Sequence, residues 1–175
     1  PPKTLEAAIS TILNLLRLAS AEVSGEQLLD YFNIFLAPFT RGLEPDQIRE
    51  NLRLLIFNLN QTFSSFDTAL AVSAGLELTI PSFLEDKEAV GLGGKVDGVY
   101  ADYTNESHAL ASLLLETAAE ESKKRPLFQP SLILKIREEG LRNRESESVL
   151  YQAHQLAAVR RLLYFANLTS KDQAC

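Results

Sequence analysis

The spacing of apolar residues changes character near residue 60, and this change constrains the fold more than any other feature. Before it, apolar residues recur at intervals of three and four. Leu5, Ala8, Ile9, Ile12, Leu13, Leu16 and Ala19 fall on one helical face, which predicts a helix over residues 4–20. Ser24-Gly25 breaks the pattern, and a second helix is expected over 26–36, with Leu28, Leu29, Phe32, Phe35 and Leu36 near one side. Pro38 and Arg41-Gly42 mark a loop. Glu44-Pro45-Asp46 then opens a third helix, because proline at the first helical position loses no hydrogen bond and acidic residues suit the N-terminal dipole. Its apolar face is Ile48, Leu52, Leu55, Ile56 and Leu59.

After residue 60 the apolar residues gather into short runs. Residues 76–80 alternate and stop at Pro81, which predicts a strand. Gly91, Gly93, Gly94 and Gly98 make 91–98 read as a flexible loop. A helix is expected over 104–123, with Leu110, Leu113, Leu114, Thr117 and Ala118 on one face and Lys123, Lys124 and Arg125 at its C-terminal end. Residues 132–136 predict a second strand, 145–160 a helix, and 162–166 a third strand. Parallel strands need such helical crossovers and are buried on both faces, in keeping with continuous apolar runs. The expected fold class is α/β: a helical layer over residues 1–60 followed by an α/β segment over 61–175, together one domain.

Composition narrows the function classes. A chain of 175 residues, 46% apolar and 23% charged, can form a core and is neither bulk-disordered nor fibrous. With one cysteine it makes no internal disulfide and no zinc site of four cysteines or of two cysteines and two histidines. A net charge of −6 disfavours a nucleic-acid partner. The best apolar stretch, 54–59, is interrupted by Asn58 and is too short to span a membrane. No signal-peptide pattern begins the chain, so the three Asn-x-Ser/Thr triplets at Asn60, Asn105 and Asn167 read as chance. A lone Cys175 fits a reducing cytoplasm.

Several motifs carry candidate chemistry. The run Val90-Gly91-Leu92-Gly93-Gly94-Lys95 fails the phosphate-loop pattern, since Gly91 and Gly94 are too close and Val96 stands in the Ser/Thr place. It also lacks the third glycine of a dinucleotide fingerprint. His108 and His154 each lie within an expected helix without a metal-type partner at i+4, so no metal site is expected. Glu120/Glu121 and Glu138/Glu139 are adjacent in sequence and read as solvated faces. Gln61, Thr62, Phe63, Ser64 and Ser65 bring an amide and hydroxyls together after a long helix. They fit either a plain helix-to-strand loop or a segment holding phosphate or sugar oxygens. Cys175 follows an apolar strand and reads as a nucleophile, a radical carrier or an inert thiol.

The segment from Asn33 to Leu43, Asn-Ile-Phe-Leu-Ala-Pro-Phe-Thr-Arg-Gly-Leu, followed by Leu55-Ile56-Phe57-Asn58-Leu59-Asn60, resembles the anaerobic (class III) ribonucleoside-triphosphate reductases. Gln61 to Ser65 resembles that family's Gln-Thr-Pro-Phe-Thr stretch. Residues 76–81, 125–130 and 163–167 resemble successive barrel-strand segments in the same order. The resemblance implies part of a ten-stranded glycyl-radical-type α/β barrel. The implied reaction converts ribonucleoside triphosphates to 2′-deoxyribonucleoside triphosphates. A thiyl radical inside the barrel, with Cys175 as its carrier here, would abstract the ribose 3′ hydrogen. A glycyl radical installed by an iron–sulfur, S-adenosylmethionine activase would generate it, and this segment itself would bind no cofactor. Gln61, Thr62, Phe63, Ser64 and Ser65 would contact substrate. A nucleotide effector and a homodimer are further partners that the family implies.

The chain departs from the pattern at several points. The motif's proline and the glycine-rich run before it are missing, and Gln61 follows Asn60 directly. The ATP-binding cone, the glycyl-radical motif and the multi-cysteine zinc site are absent from these residues. The chain is therefore expected to be part of a larger enzyme, inactive alone, with a parallel strand edge left exposed. The alternatives are a non-catalytic derivative and an α/β partner-binding domain.

Overall fold

The structure, a computed structural model, describes residues 1–23, 25–61, 71–159 and 162–169, and of residues 144 and 145 the backbone alone. The elements run α1 (Leu5–Glu22), β1 (Gln27–Leu29), α2 (Phe32–Leu36), α3 (Pro45–Leu59), β2 (Val72–Glu77), α4 (Ser82–Glu85), β3 (Glu88–Val90), β4 (Val96–Val99), α5 (Thr104–Lys124), β5 (Ser131–Ile136), α6 (Glu138–Leu141), α7 (Arg144–Val159) and β6 (Leu163–Asn167). Strands pair in the order β1-β2-β5-β6, all parallel, while β3 and β4 form a separate antiparallel pair.

The periodicity that predicts α1, α3, α5 and α7 also shows which side each helix buries. Leu5, Ala8, Ile9, Leu13 and Leu16 of α1 are buried, as are Ile48, Leu52, Leu55, Ile56 and Leu59 of α3. These helices pack in the sequence α1, α3, α5, α7. Their apolar faces share one core with Val72, Ala74 and Leu76 of β2, Leu132 and Leu134 of β5, and Leu163 of β6. Each fully buried leucine or isoleucine there contributes roughly 1.5–3 kcal/mol relative to an exposed one. Successive side chains of a strand point to opposite faces. The register therefore puts Leu28, Ser73, Gly75, Glu77, Ile133, Lys135 and Tyr164 on the face away from that helical core.

Four expectations need correction. The helix expected over 26–36 is instead β1, a turn and the short α2. Pairing of Gln27, Leu28 and Leu29 with Val72, Ser73 and Ala74 overrides the local helical spacing. The Asp30 carboxylate then accepts the Tyr31 N–H at 2.9 Å, and Tyr31 takes a left-handed φ of 52°. The strand expected over 76–80 lies at Val72–Glu77, where all six residues are buried, the small Ser73 and Gly75 and the ion-paired Glu77 included. The expected loop over 91–98 is an ordered hairpin, with Leu92–Gly94 in a 3-10 turn and positive φ at Gly93, Gly94 and Gly98. Finally, β6 is not buried on both faces: it is an edge strand on which Tyr164 and Phe165 are 57% and 38% exposed.

Candidate functional site

The two ends of the parallel sheet are built differently. At the N-terminal end, Asn60 closes α3 onto the segment leading into β5. Its Oδ1 accepts the N–H groups of Phe128 and Gln129 at 2.8 and 3.1 Å, and its Nδ2 donates to the Gln129 carbonyl. Gln129 in turn accepts the N–H of Val72, the first residue of β2, at 2.9 Å. One asparagine thus sets where two strands start. Gln61 is exposed and turned back on α3, its N–H on the Asn58 carbonyl at 3.2 Å and its amide on the Phe57 carbonyl at 3.5 Å. Thr62, Phe63, Ser64, Ser65 and Cys175 lie outside the described residues.

The Asn33-to-Leu43 segment holds the opposite end together. Asn33 is fully buried. Its side chain pairs with both backbone groups of Glu77, each at 3.0 Å, and donates to the Ser107 hydroxyl at 2.8 Å. It therefore ties α2 to the end of β2 and the start of α5. Arg41 donates to Glu106 at 2.8 Å and to the Asp102 carbonyl at 2.6 Å, and lies 3.8 Å from the Tyr103 ring centre. These motif residues organise the fold around the sheet's C-terminal end, the end at which parallel α/β sheets place their ligands.

At that end, on the face away from the helices, four charged side chains meet. Glu77 is 1% exposed, and Arg137 grips it with two bonds, Nε to Oε2 at 3.0 Å and Nη2 to Oε1 at 3.1 Å. Lys135, opposite Glu77 in register, sits 3.7 Å from the same carboxylate and 2.5 Å from Asp30. The ammonium of Lys135 also lies 4.2 Å from the Tyr31 ring centre, and the guanidinium of Arg137 lies 5.7 Å from that of Phe83. Asp30 packs so closely on Gly75 that a Cβ there would fall 2.5 Å from its Oδ1. Burial pushes the Glu77 carboxyl above the usual carboxylate range, and the Arg137 hydrogen bonds pull it back in part. Arg137 is raised in turn by its bonds to Glu77.

Sequence reasoning missed this cluster, because its members come from positions 30, 77, 135 and 137. One signal pointed to it: Lys135 and Arg137 put two cations on one face where an apolar strand ends. The structure does not bring the cluster together with Gln61. Asn60, next to Gln61, is tied to the segment at the start of β2, whereas the cluster sits at that strand's other end. Glu121 also departs from expectation. It is 8% exposed and held below the usual range, chiefly by a hydrogen bond from Lys124, rather than lying on a solvated face. His108 bonds the Leu78 carbonyl and His154 stacks on Phe165. Among the described residues, no group of three or more His, Cys, Asp or Glu is placed to hold a metal ion. Nor is any described helix long and apolar enough to cross a membrane.

The fold is that of solved anaerobic ribonucleotide reductases. The Thermotoga maritima enzyme in complex with dATP and CTP superposes with a TM-score of 0.78 at 16% identity, over 98% of this chain and 30% of that one. The same enzyme with citrate in the active site gives 0.75 at 15% identity, over 98% of this chain and 32% of that one. With dATP bound in the specificity site it gives 0.77 at 15% identity, over 98% and 30%. This chain thus spans about a third of the length of those reductases. No curated protein sequence matches it. The family model for anaerobic ribonucleoside-triphosphate reductase matches residues 1–175 throughout, and the chain belongs to that family.

Proposed function

We propose that this chain is part of the substrate barrel of an anaerobic ribonucleoside-triphosphate reductase. The observation that carries the reading is the family match over residues 1–175. Residues 1–60 would supply the helical layer and the first strand, and 61–175 the rest of a half-barrel closed by other parts of the protein. The reaction would convert a ribonucleoside triphosphate to its 2′-deoxy form through a thiyl radical that takes the ribose 3′ hydrogen. The 2′-hydroxyl would leave as water, and an external two-electron reductant, formate or a thiol protein, would supply the electrons. Cys175 is our candidate for that thiol. A glycyl radical elsewhere in the protein, installed by an iron–sulfur, S-adenosylmethionine activase, would supply the initiating radical.

Gln61, Thr62, Phe63, Ser64 and Ser65 would contact ribose or phosphate oxygens through their amide and hydroxyl groups. A nucleotide effector, a homodimer and a cytoplasmic setting complete the reading. The polar end of the sheet face away from the helices, with Glu77, Lys135 and Arg137, supports it, since a barrel interior that holds a nucleotide needs hydrogen-bonding groups as well as apolar ones. The test is anaerobic incubation of the intact protein with a reduced activase, S-adenosylmethionine, CTP and a two-electron reductant, formate or a thiol protein. A glycyl radical signal and formation of dCTP are expected; absence of both overturns the reading.

A further inference from the structure

We infer that Arg137, held in place by Glu77, donates hydrogen bonds to an uncharged oxygen at the base end of the bound nucleotide, a base carbonyl. This rests on the proposed function and assigns a residue to its substrate site. Arg137 has the attributes of a preset donor. Its Nε and Nη2 are fixed on a buried carboxylate, and Phe83 lies under its guanidinium. Among the described residues, Nη1 has no partner, and the side chain keeps 22% exposure. A guanidinium gripped along one edge presents its other edge in a fixed direction. That edge belongs to the sheet's C-terminal end, on the face opposite the helical core.

The charges choose the ligand atom. Arg137 and Lys135 are balanced by Glu77 and Asp30, so the four groups sum to zero. A triphosphate needs surplus positive charge, which this cluster does not offer. An uncharged oxygen needs a directed donor and no counter-charge. Burying an ion pair costs more than a packed apolar pair of the same volume. Placing one at this end of the sheet is therefore a structural expense that a positioned donor accounts for. Glu77 does not touch the ligand here; it is a positioning residue acting through Arg137.

The experiment measures equilibrium binding of CTP and of inorganic tripolyphosphate to the intact protein without activase. Wild type is compared with Arg137→Lys, Glu77→Gln and the double variant, each checked for folding by thermal melting. Loss of one directed hydrogen bond predicts about tenfold weaker CTP binding for Arg137→Lys, with tripolyphosphate binding unchanged. Glu77→Gln shifts CTP binding in the same direction by less, and the double variant is no weaker than Arg137→Lys alone. In turnover, KM rises and kcat stays within about twofold. If Arg137→Lys fails to fold, Phe83→Leu, which removes the ring under the guanidinium, is expected to weaken CTP binding severalfold. Equal CTP binding by the folded variants overturns the inference, as does an equal loss for tripolyphosphate. Wild type that binds no CTP instead overturns the proposed function on which it rests.

Discussion

Glu77 at the end of β2 and Glu121 near the end of α5 each sit among cations. Glu77 has Arg137 at 3.0 Å and Lys135 at 3.7 Å. Glu121 has Lys124 at 2.8 Å, with Arg53 and Arg125 both at 3.7 Å. The two nevertheless shift in opposite directions: Glu77 takes up a proton more readily than an ordinary carboxyl, and Glu121 less readily. The difference is the balance between burial and pairing. Glu121 is itself largely buried, but the hydrogen bond from Lys124, which is 62% exposed, outweighs the cost of that burial. Glu77 has given its water up, and its bonds to Arg137 recover only part of that loss. The helical face therefore carries an ordinary stabilising ion network, whereas the sheet end carries a constrained one, as functional sites often do.

The strongest way to break this comparison is to truncate each carboxylate. Glu77→Ala leaves Arg137 and Lys135 mostly buried beside one remaining acid, Asp30, and is expected to cost about 3–5 kcal/mol. Glu121→Ala leaves Arg53 its bonds to Glu50 and Glu120 and is expected to cost about 1 kcal/mol or less. Urea unfolding midpoints measure both, and equal costs would erase the distinction. Asn33→Ala comes next. It strips partners from both backbone groups of Glu77 and from the Ser107 hydroxyl, all in a buried setting. A cost of about 2–3 kcal/mol is expected in the same experiment.

The sequence made the helical side legible and the sheet end largely not, for physical reasons. α1, α3, α5 and α7 each bury a stripe against one core, so 3.6-residue periodicity is written into them. β5 appears where its apolar run predicts it. β1 is three residues long, and its partner strand lies about 45 residues further on, so local spacing around Leu28 and Leu29 suggested a helix. β2 hid because its alternation of Val72, Ala74 and Leu76 with Ser73, Gly75 and Glu77 rests on small residues and carries a glycine, so it reads more weakly than the run at 76–80. The positive φ at Gly93, Gly94 and Gly98 serves a hairpin, although glycine content alone read as flexibility. The Asn33-to-Leu43 segment, read first for its family resemblance, organises the site through Asn33 and Arg41 rather than by chemistry of its own.

Titration sharpens the comparison with a smaller effect, opposite in sign for the two carboxyls. Glu121 has a folded pKa below its unfolded one. Its contribution is present above the unfolded carboxylate value of about 4.3 and is lost as pH falls through the folded pKa. Glu77 has a folded pKa above its unfolded one, so its contribution is present below that value and is lost as pH rises through the folded pKa. Unfolding midpoints of wild type, Glu77→Gln and Glu121→Gln between about pH 3 and 7 separate the two. As pH rises, the gap between wild type and Glu77→Gln narrows, and the gap to Glu121→Gln widens. Gaps that move together would mean that one environment governs both carboxylates.

Salt gives the smallest effect. At about 1 M ionic strength the screening length falls to about 3 Å, so charges that face water lose most of their interaction. The Glu121 network qualifies, since Lys124, Arg53 and Arg125 are 62%, 35% and 35% exposed. The Glu77 pair does not, because ions have no access to a carboxylate that is 1% exposed. Adding salt is therefore expected to erase the few tenths of a kcal/mol separating wild type from Glu121→Gln. The separation from Glu77→Gln should remain. Unfolding curves of the three proteins at low and high salt measure this directly. A Glu77→Gln gap that closes with salt would place that carboxylate in contact with solvent, and the sheet end would then be a second surface network.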